Sequence, residues 1–380
     1  MAHTTSLILA GLTGVIASAH AQTPNSSLHD TLEARSLAFF KSSGTPGLAV
    51  GVWKNGTVIY ARGFGVMAAG AQQPVTPQTV FHMASISKTF VATAVMQLVE
   101  QGKVQLDDPV TKYVPYFQLK DPRYKVITVR QMLSHTAGMP DVTDYGWDKP
   151  QYDDEALERW IRGLKDSTLI AKPGEKWQYS NIGFEVLADL IAIVSAESFE
   201  GYVQRHILTP VGMVHSTFLM TDVDSANLAT GHESGPKGQE RQAFPYNRRH
   251  AGSSTMHSNV EDMLRYGAVH AGRGTLDGKR ILQSATYDTM WTAQVDISAR
   301  YLDMMKRMRM NLPLRKVEMG LGWFLMGYDG FHVMNHNGGD RGFRSSLLVS
   351  PDRQTVVVVF VNSGANVVAL SLPLLDAAVR

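Results

Sequence analysis

The strand-forming runs of this 380-residue chain sit at its two ends, and the stretch between them is patterned for helices. After a helix predicted around residues 32–40, Pro46-Gly47 opens the run LAVGVWK, and Asn55-Gly56 separates it from TVIYARGFGV. Asn-Gly between two such runs is a strong hairpin signal, because both turn positions favour φ > 0. The far end repeats this chemistry. Runs 322–328, 331–335, 343–350 and 355–362 are β-rich and divided by Asp329-Gly330 and Pro351-Asp352-Arg353, and 367–379 reads as a closing helix. In between, Phe90, Val91, Ala94, Val95 and Leu98 form a helical stripe within 85–102. Thr128-x-x-Gln131 and Ser258-x-x-Glu261 have capping-box form. Segments 154–164, 183–194 and 260–269 are also helical by period, and 221–255 reads as a long loop. Strands that do not alternate with helices predict an α+β fold. The expected architecture is one antiparallel sheet formed by the N- and C-terminal strands, flanked by helices, with a mostly helical region (about 85–270) inserted between them.

Composition narrows the chemistry. Hydrophobic residues make up 44% and charged residues 18%, an ordinary globular mix. A net charge of +2 offers no electrostatic case for nucleic acid or an acidic membrane surface. With no cysteine, disulfides, thiolate catalysis and Cys-based zinc sites are excluded together. A covalent nucleophile must therefore be Ser, Thr, Lys or a carboxylate. The 13 histidines are scattered and H-E-x-x-H is absent, so neither a metal nor another cofactor is expected. G-x-S-x-G is absent too, which removes an α/β-hydrolase nucleophile elbow. Residues 1–21 read as a leader: LILAGLTGVIA is apolar but too short to span a bilayer, and Ala19-His20-Ala21 matches an A-x-A cleavage site. Residues 22–380 are then expected to form a single exported domain, periplasmic or secreted, with no membrane span.

The segment Met83-Ala84-Ser85-Ile86-Ser87-Lys88 is the most informative. Ser85 stands at a helix start, near free backbone N–H groups and the positive end of the dipole. Lys88, three residues on, shares its helical face and can reach its hydroxyl. Serine is a weak nucleophile until a base takes its proton, and a lysine can be that base if burial suppresses its charge. Two further pieces join this one: Tyr179-Ser180-Asn181 at the start of a later helix, and His336-Asn337-Gly338-Gly339 between two predicted strands. His82 and His135 read as core or loop residues. Met304–Met310 reads as packing with a basic edge, and Tyr145, Trp147 and Trp177 as packing aromatics beside the cleft.

S-x-x-K, Y-x-N and H-x-G, in this order, resemble the motifs of the penicillin-recognising serine hydrolases, among them class C β-lactamases, low-molecular-weight D,D-peptidases and family VIII esterases. His135-Thr136-Ala137-Gly138-Met139-Pro140 resembles a turn common in that group. The resemblance runs from about Pro46 to Asn362 and implies a β-lactamase/transpeptidase-like fold. It implies Ser85 as the acylated nucleophile, Lys88 as its base and Tyr179 as the proton shuttle. It implies Asn181 as a ligand of Lys88 or of the substrate carbonyl, and His336 and Gly338 as the strand edge along which substrate lies. The backbone N–H groups of Ser85 and Gly339 would form the oxyanion hole, where loss of one donor typically costs ~2.7–4 kcal/mol. Class C β-lactamases usually carry K-T-G where this chain has His336-Asn337-Gly338. Lowering a tyrosine from ~10 to ~7 needs about 4 kcal/mol, which two lysines supply more readily than a lysine and a neutral histidine. The missing lysine also removes a fixed cation for a substrate carboxylate. The expected function is therefore a serine carboxylesterase for short or medium acyl esters. The alternatives are a β-lactamase or D-alanyl carboxypeptidase acting on β-lactams or peptides, and a non-catalytic binding or scaffold protein that keeps the fold.

Overall fold

Asn55 and Gly56 take φ of 47° and 90°, and Asp329 and Gly330 take 44° and 87°, so both predicted turns close by left-handed backbone. The computed structural model describes residues 26–235, 238–307 and 314–380; the leader expected over 1–21 and part of the methionine-rich stretch lie outside them. The hairpins belong to an eight-stranded antiparallel sheet. Its strands are β1 (Gly47–Lys54), β2 (Thr57–Gly65), β3 (Val295–Asp296), β4 (Leu314–Met319), β5 (Phe324–Tyr328), β6 (Phe331–Asp340), β7 (Phe343–Ser350) and β8 (Thr355–Val361). The spatial order is β2-β1-β8-β7-β6-β5-β4-β3. The two ends of the chain meet where β1 pairs with β8, from Leu48 opposite Val361 to Lys54 opposite Thr355.

β8 reads TVVVVFV and is buried along its whole length. A strand apolar on both faces must be covered on both. On one face lie α1 (Ser26–Ser43) and α8 (Val368–Val379), packing Leu32, Leu370, Leu372, Leu374 and Leu375 against Val357, Val359 and Val361. On the other lies the helical region: α2 (Ser87–Glu100), α3 (Val129–Leu133), α4 (Asn181–Ser195), α5 (Ala251–Ser254) and α6 (Val260–Ala271). α6 presses on β1 and β8 so closely that a Cβ at Gly51 would fall 2.5 Å from the Val260 side chain. α7 (Ser298–Arg307) packs on β4 at the sheet's other end.

Several local expectations are corrected. The cap of α6 is Asn259, which accepts the Asp262 N–H at 2.9 Å, while the Ser258 hydroxyl bonds Ser216 instead at 2.8 Å. Ser258 sits one residue too early because a short bridge pairs 257–258 with 81–82. The segment 221–255 is not all loop: His232–Gly235 pairs with Gly238–Arg241, and α5 closes the segment. The polar composition of both pieces hid them. β3 and β4 also went unread. The H-x-G segment lies inside β6 rather than between strands, since it pairs residue for residue with β7 from Met334 opposite Val349 to Asp340 opposite Phe343. The Thr128–Gln131 capping box is present as expected.

Candidate active site

Ser85 sits in a single 3₁₀ turn, Ala84–Ile86, that runs directly into α2. Ala84 before it has φ of 48°, a left-handed conformation that costs a non-glycine residue roughly 1–3 kcal/mol and that surrounding packing must enforce. Ser85 alone stays partly exposed between Ala84 and Ile86, both buried. Strand β6 provides the enforcement. A Cβ at Gly338 would lie 2.1 Å from the Met83 carbonyl, and that carbonyl accepts the Ser345 hydroxyl of β7 at 2.7 Å. Glycine at 338 thus lets a sheet strand close on the turn that presents the hydroxyl. Gly339 follows, opposite Arg344.

Lys88 Nζ donates to Ser85 Oγ at 3.0 Å and to the Ser253 carbonyl at 2.7 Å. Lys88 is fully buried. Burial, against attraction from Asp340, Asp141 and Glu185, lowers its ammonium from the ordinary 10.5 to about 8. The Tyr179 ring centroid is 5.1 Å from Nζ. Burial pushes the Tyr179 phenol above its usual range, with the Ser85 hydroxyl beside it pulling the other way. The protonation pattern at neutral pH is then a partly neutral amine, a serine hydroxyl and a protonated phenol in mutual reach.

His336 is 1% exposed, and burial together with the Lys88 charge lowers its imidazole to about 3. Its Nδ1 donates to the Asn337 carbonyl at 2.8 Å, which leaves Nε2 as an unpartnered acceptor. The ring lies 6.5 Å from that of Tyr179. Asn181 is engaged elsewhere: both its backbone N–H and its Nδ2 donate to Asp141 Oδ1 at 2.9 Å. The Lys88 ammonium is held by Ser253 rather than by Asn181. The fold thus gathers Ser85, Lys88, Tyr179, His336 and Gly338 around one hydroxyl, with Asn181 one step removed on Asp141.

Residues outside the three motifs support this group. Ser253 arrives on α5, and its hydroxyl donates to Glu185 Oε1 at 2.7 Å. Glu185 is fully buried and also meets His250 Nδ1 at 2.7 Å and Trp160 Nε1 at 2.6 Å. Burial alone would raise this carboxyl; His250 and the hydrogen bonds more than reverse that, so it stays ionised. His135, read as a core or loop residue, has φ of 56° and stacks on the Tyr179 ring at 4.3 Å. Its carbonyl accepts the Gln178 N–H at 2.7 Å and its Nδ1 accepts the Ser180 N–H at 3.1 Å, so it grips both neighbours of Tyr179. His82 pairs with Asp340 at 2.8 Å, just past Gly339, and the Ser254 hydroxyl joins the same carboxylate. Of the aromatics, Trp177 lies 6.4 Å from the Tyr179 ring, and Tyr145 packs on His250 at 4.9 Å while stacking on Trp147 at 4.8 Å. No His, Asp and Glu cluster able to hold a metal occurs among the described residues.

Comparison with known proteins places this geometry. Protein flp of Staphylococcus aureus (strain MW2) is 26% identical over 324 residues, which span 83% of this chain and 59% of that protein. The chain therefore spans about three-fifths of that relative's length. The octameric penicillin-binding protein homologue from Pyrococcus abyssi superposes with a TM-score of 0.75 at 26% identity, covering 92% of this chain and 75% of its own. EstCE1, described as a hydrolase with promiscuous acyltransferase activity, superposes with a TM-score of 0.70 at 23% identity, over 93% of this chain and 99% of its own. The β-lactamase family model matches residues 30–379. Strands from both termini, a helical region between them and a serine–lysine–tyrosine group at their junction are thus accounted for together: the chain belongs to the β-lactamase family of penicillin-recognising serine hydrolases.

Proposed function

We propose that this protein is a carboxylesterase that forms an acyl-enzyme on Ser85 and acts on esters of short or medium acyl chains. The observation that carries the ester preference is His336: a buried, neutral imidazole where class C β-lactamases carry a lysine, so β6 presents no cation to a β-lactam or peptide carboxylate. The chemistry follows from the protonation pattern. Lys88, in its amine form, takes the Ser85 proton at 3.0 Å as Oγ attacks the ester carbonyl. Two backbone N–H groups, those of Ser85 and Gly339, would receive the oxyanion. Tyr179, held protonated by burial, gives its proton to the departing alkoxide as the C–O bond breaks, and is reprotonated from Lys88. Water then attacks the acyl-enzyme, loses its proton to the regenerated amine, and Ser85 leaves with a proton returned from Lys88. Glu185 would keep the Ser253 carbonyl aimed at Nζ through its hydrogen bond to the Ser253 hydroxyl.

A fluorophosphonate probe is expected to label the wild type and not Ser85→Ala; equal labelling would remove Ser85 as nucleophile. Turnover of p-nitrophenyl butyrate is expected to exceed that of a chromogenic cephalosporin, and the reverse ranking would overturn the ester preference. We further propose export with cleavage after Ala21; an intact Met1 on the secreted product would contradict it.

A further inference from the structure

Tyr179 and His336 border on a cavity through the rings of Trp177 and Phe324. Phe324 lies 5.4 Å from the His336 ring and 6.3 Å from that of Trp177, which in turn is 6.4 Å from Tyr179. Beyond this pair, Tyr301, Ile297 and Arg300 of the 297–307 segment close a space of about 500 Å³. That is the size of a small-molecule site, walled by Trp177, Tyr301, Phe324 and Ile297, with the charged residues Arg300, Asp303 and Arg307 completing the lining.

Its charge is one-sided. Asp303 is taken up by Arg307 at 2.7 Å. The Arg300 guanidinium lies over the Trp177 indole, 5.0 Å from its centroid, with no carboxylate partner among the described residues. The cavity therefore offers an apolar interior and one uncompensated cation at its rim.

Position decides which part of a substrate enters it. β5 pairs with β6 only as far as Phe324 opposite Asn335, whereas β7 stays paired to Asp340. One edge of residues 336–339 is therefore left open by β5. A carbonyl bound at Gly339 has the oxygen it expels within reach of Tyr179, because that phenol must protonate it. Whatever that oxygen carries continues past Tyr179 and His336, towards Trp177 and Phe324. The acyl chain leaves the carbonyl in the other direction.

We propose that this cavity is the leaving-group subsite, and that it takes an apolar or aromatic alcohol bearing a carboxylate that Arg300 meets at the rim. This rests on the ester-hydrolase reading of Ser85 and names the substrate class for it. It also answers the absence of a cation on β6: the chain supplies one from the 297–307 segment instead, displaced to the leaving-group side.

The test holds the acyl group constant and varies the alcohol. With full-length enzyme, kcat/KM is measured for meta-acetoxybenzoate and for its uncharged methyl ester, in wild type and Arg300→Glu. Wild type is expected to prefer the anionic ester by about fivefold, the upper range for an exposed charge pair, with the preference lost or inverted in the variant. Hydrolysis of both esters with no change in their ratio would overturn the subsite while leaving the hydrolase reading intact. A ratio that instead moves for p-nitrophenyl hemiglutarate, whose carboxylate is on the acyl side, would overturn the assignment of the cavity to the leaving group. No turnover of any ester, with no Ser85-dependent fluorophosphonate labelling, would sink the hydrolase reading and this inference with it. Arg300 is exposed, so its substitution leaves the fold in place, and circular dichroism of the variant checks this.

Discussion

Lys88 carries the tension between folding and chemistry. As an ammonium it is fully buried and lowered to about 8. As an amine it is the base that the proposed mechanism requires for Ser85. On this geometry kcat/KM rises about tenfold per pH unit below that value and levels off above it, because only the amine form accepts a proton. A profile flat from pH 6 to 9 would mean another base. The same shift is a statement about stability. The folded state gives up this proton near 8 and the unfolded state near 10.5, so between those values the unfolded state binds more protons and stability rises with pH. The effect amounts to on the order of 3 kcal/mol, most of it absent below pH 8. Urea titrations at pH 7.5 and 10 are expected to show that gain in wild type and to lose it in Lys88→Met. Tyr179→Phe is expected to slow turnover by about 10²–10⁴ while leaving the urea midpoint nearly unchanged, which stopped assays and denaturation together would read.

At the level of elements, the site is a meeting of a strand, a turn and two helix starts, and β6 is the piece with least tolerance. Gly338→Ala would place a methyl 2.1 Å from the Met83 backbone carbonyl, which no rotamer change relieves. Activity is expected to fall at least as far as with Tyr179→Phe, and thermal stability with it. Gly163→Ala, with open space around it, is the matched control. This element also shows why the sequence could be read only in part. The turns at Asn55-Gly56 and Asp329-Gly330 were legible because their backbone demands are local. Ser85, Lys88 and Tyr179 were legible because the roles proposed for them, nucleophile, base and shuttle, impose residue types. Glu185, Ser253 and His135 were not, because each acts through a contact that exists only after α4, α5 and the 135–140 turn have packed. Ser253 is a case in point: it serves Lys88 through its carbonyl, an atom every residue has. The five-residue continuation of β6 past Asn335 was hidden by glycines and asparagines that weaken strand propensity, and pairing to β7 overrides that weakness.

The whole molecule is organised around a sheet with two unlike coats. Terminal helices cover one face and the helical region the other, and β8 between them is buried on both. Phe360 sits at that centre, fully buried, 6.0 Å from Phe81 of the helical side. Phe360→Ala is expected to cost about 3–5 kcal/mol, seen as a lower urea midpoint, because the rigid surroundings cannot collapse onto the space left. The terminal placement of the strands was the most legible feature of the chain, since alternation and turn chemistry mark each run separately. The register of β1 on β8 was not, because Leu48 and Val361 are chosen as partners across hundreds of residues, and β3 and β4 were not, because two residues (Val295–Asp296) and the charge-interrupted run LRKVEM show no alternation to read.

The pairing of β1 with β8 also sets when the enzyme can exist. Ser85 is made early, yet Gly338 and Gly339 come some 250 residues later, and the sheet that seats them needs Val361 opposite Leu48. Closing so wide a loop is slow, and it cannot begin until β8 has left the ribosome. A nascent chain therefore carries its serine unarmed until β8 has been made and has found β1.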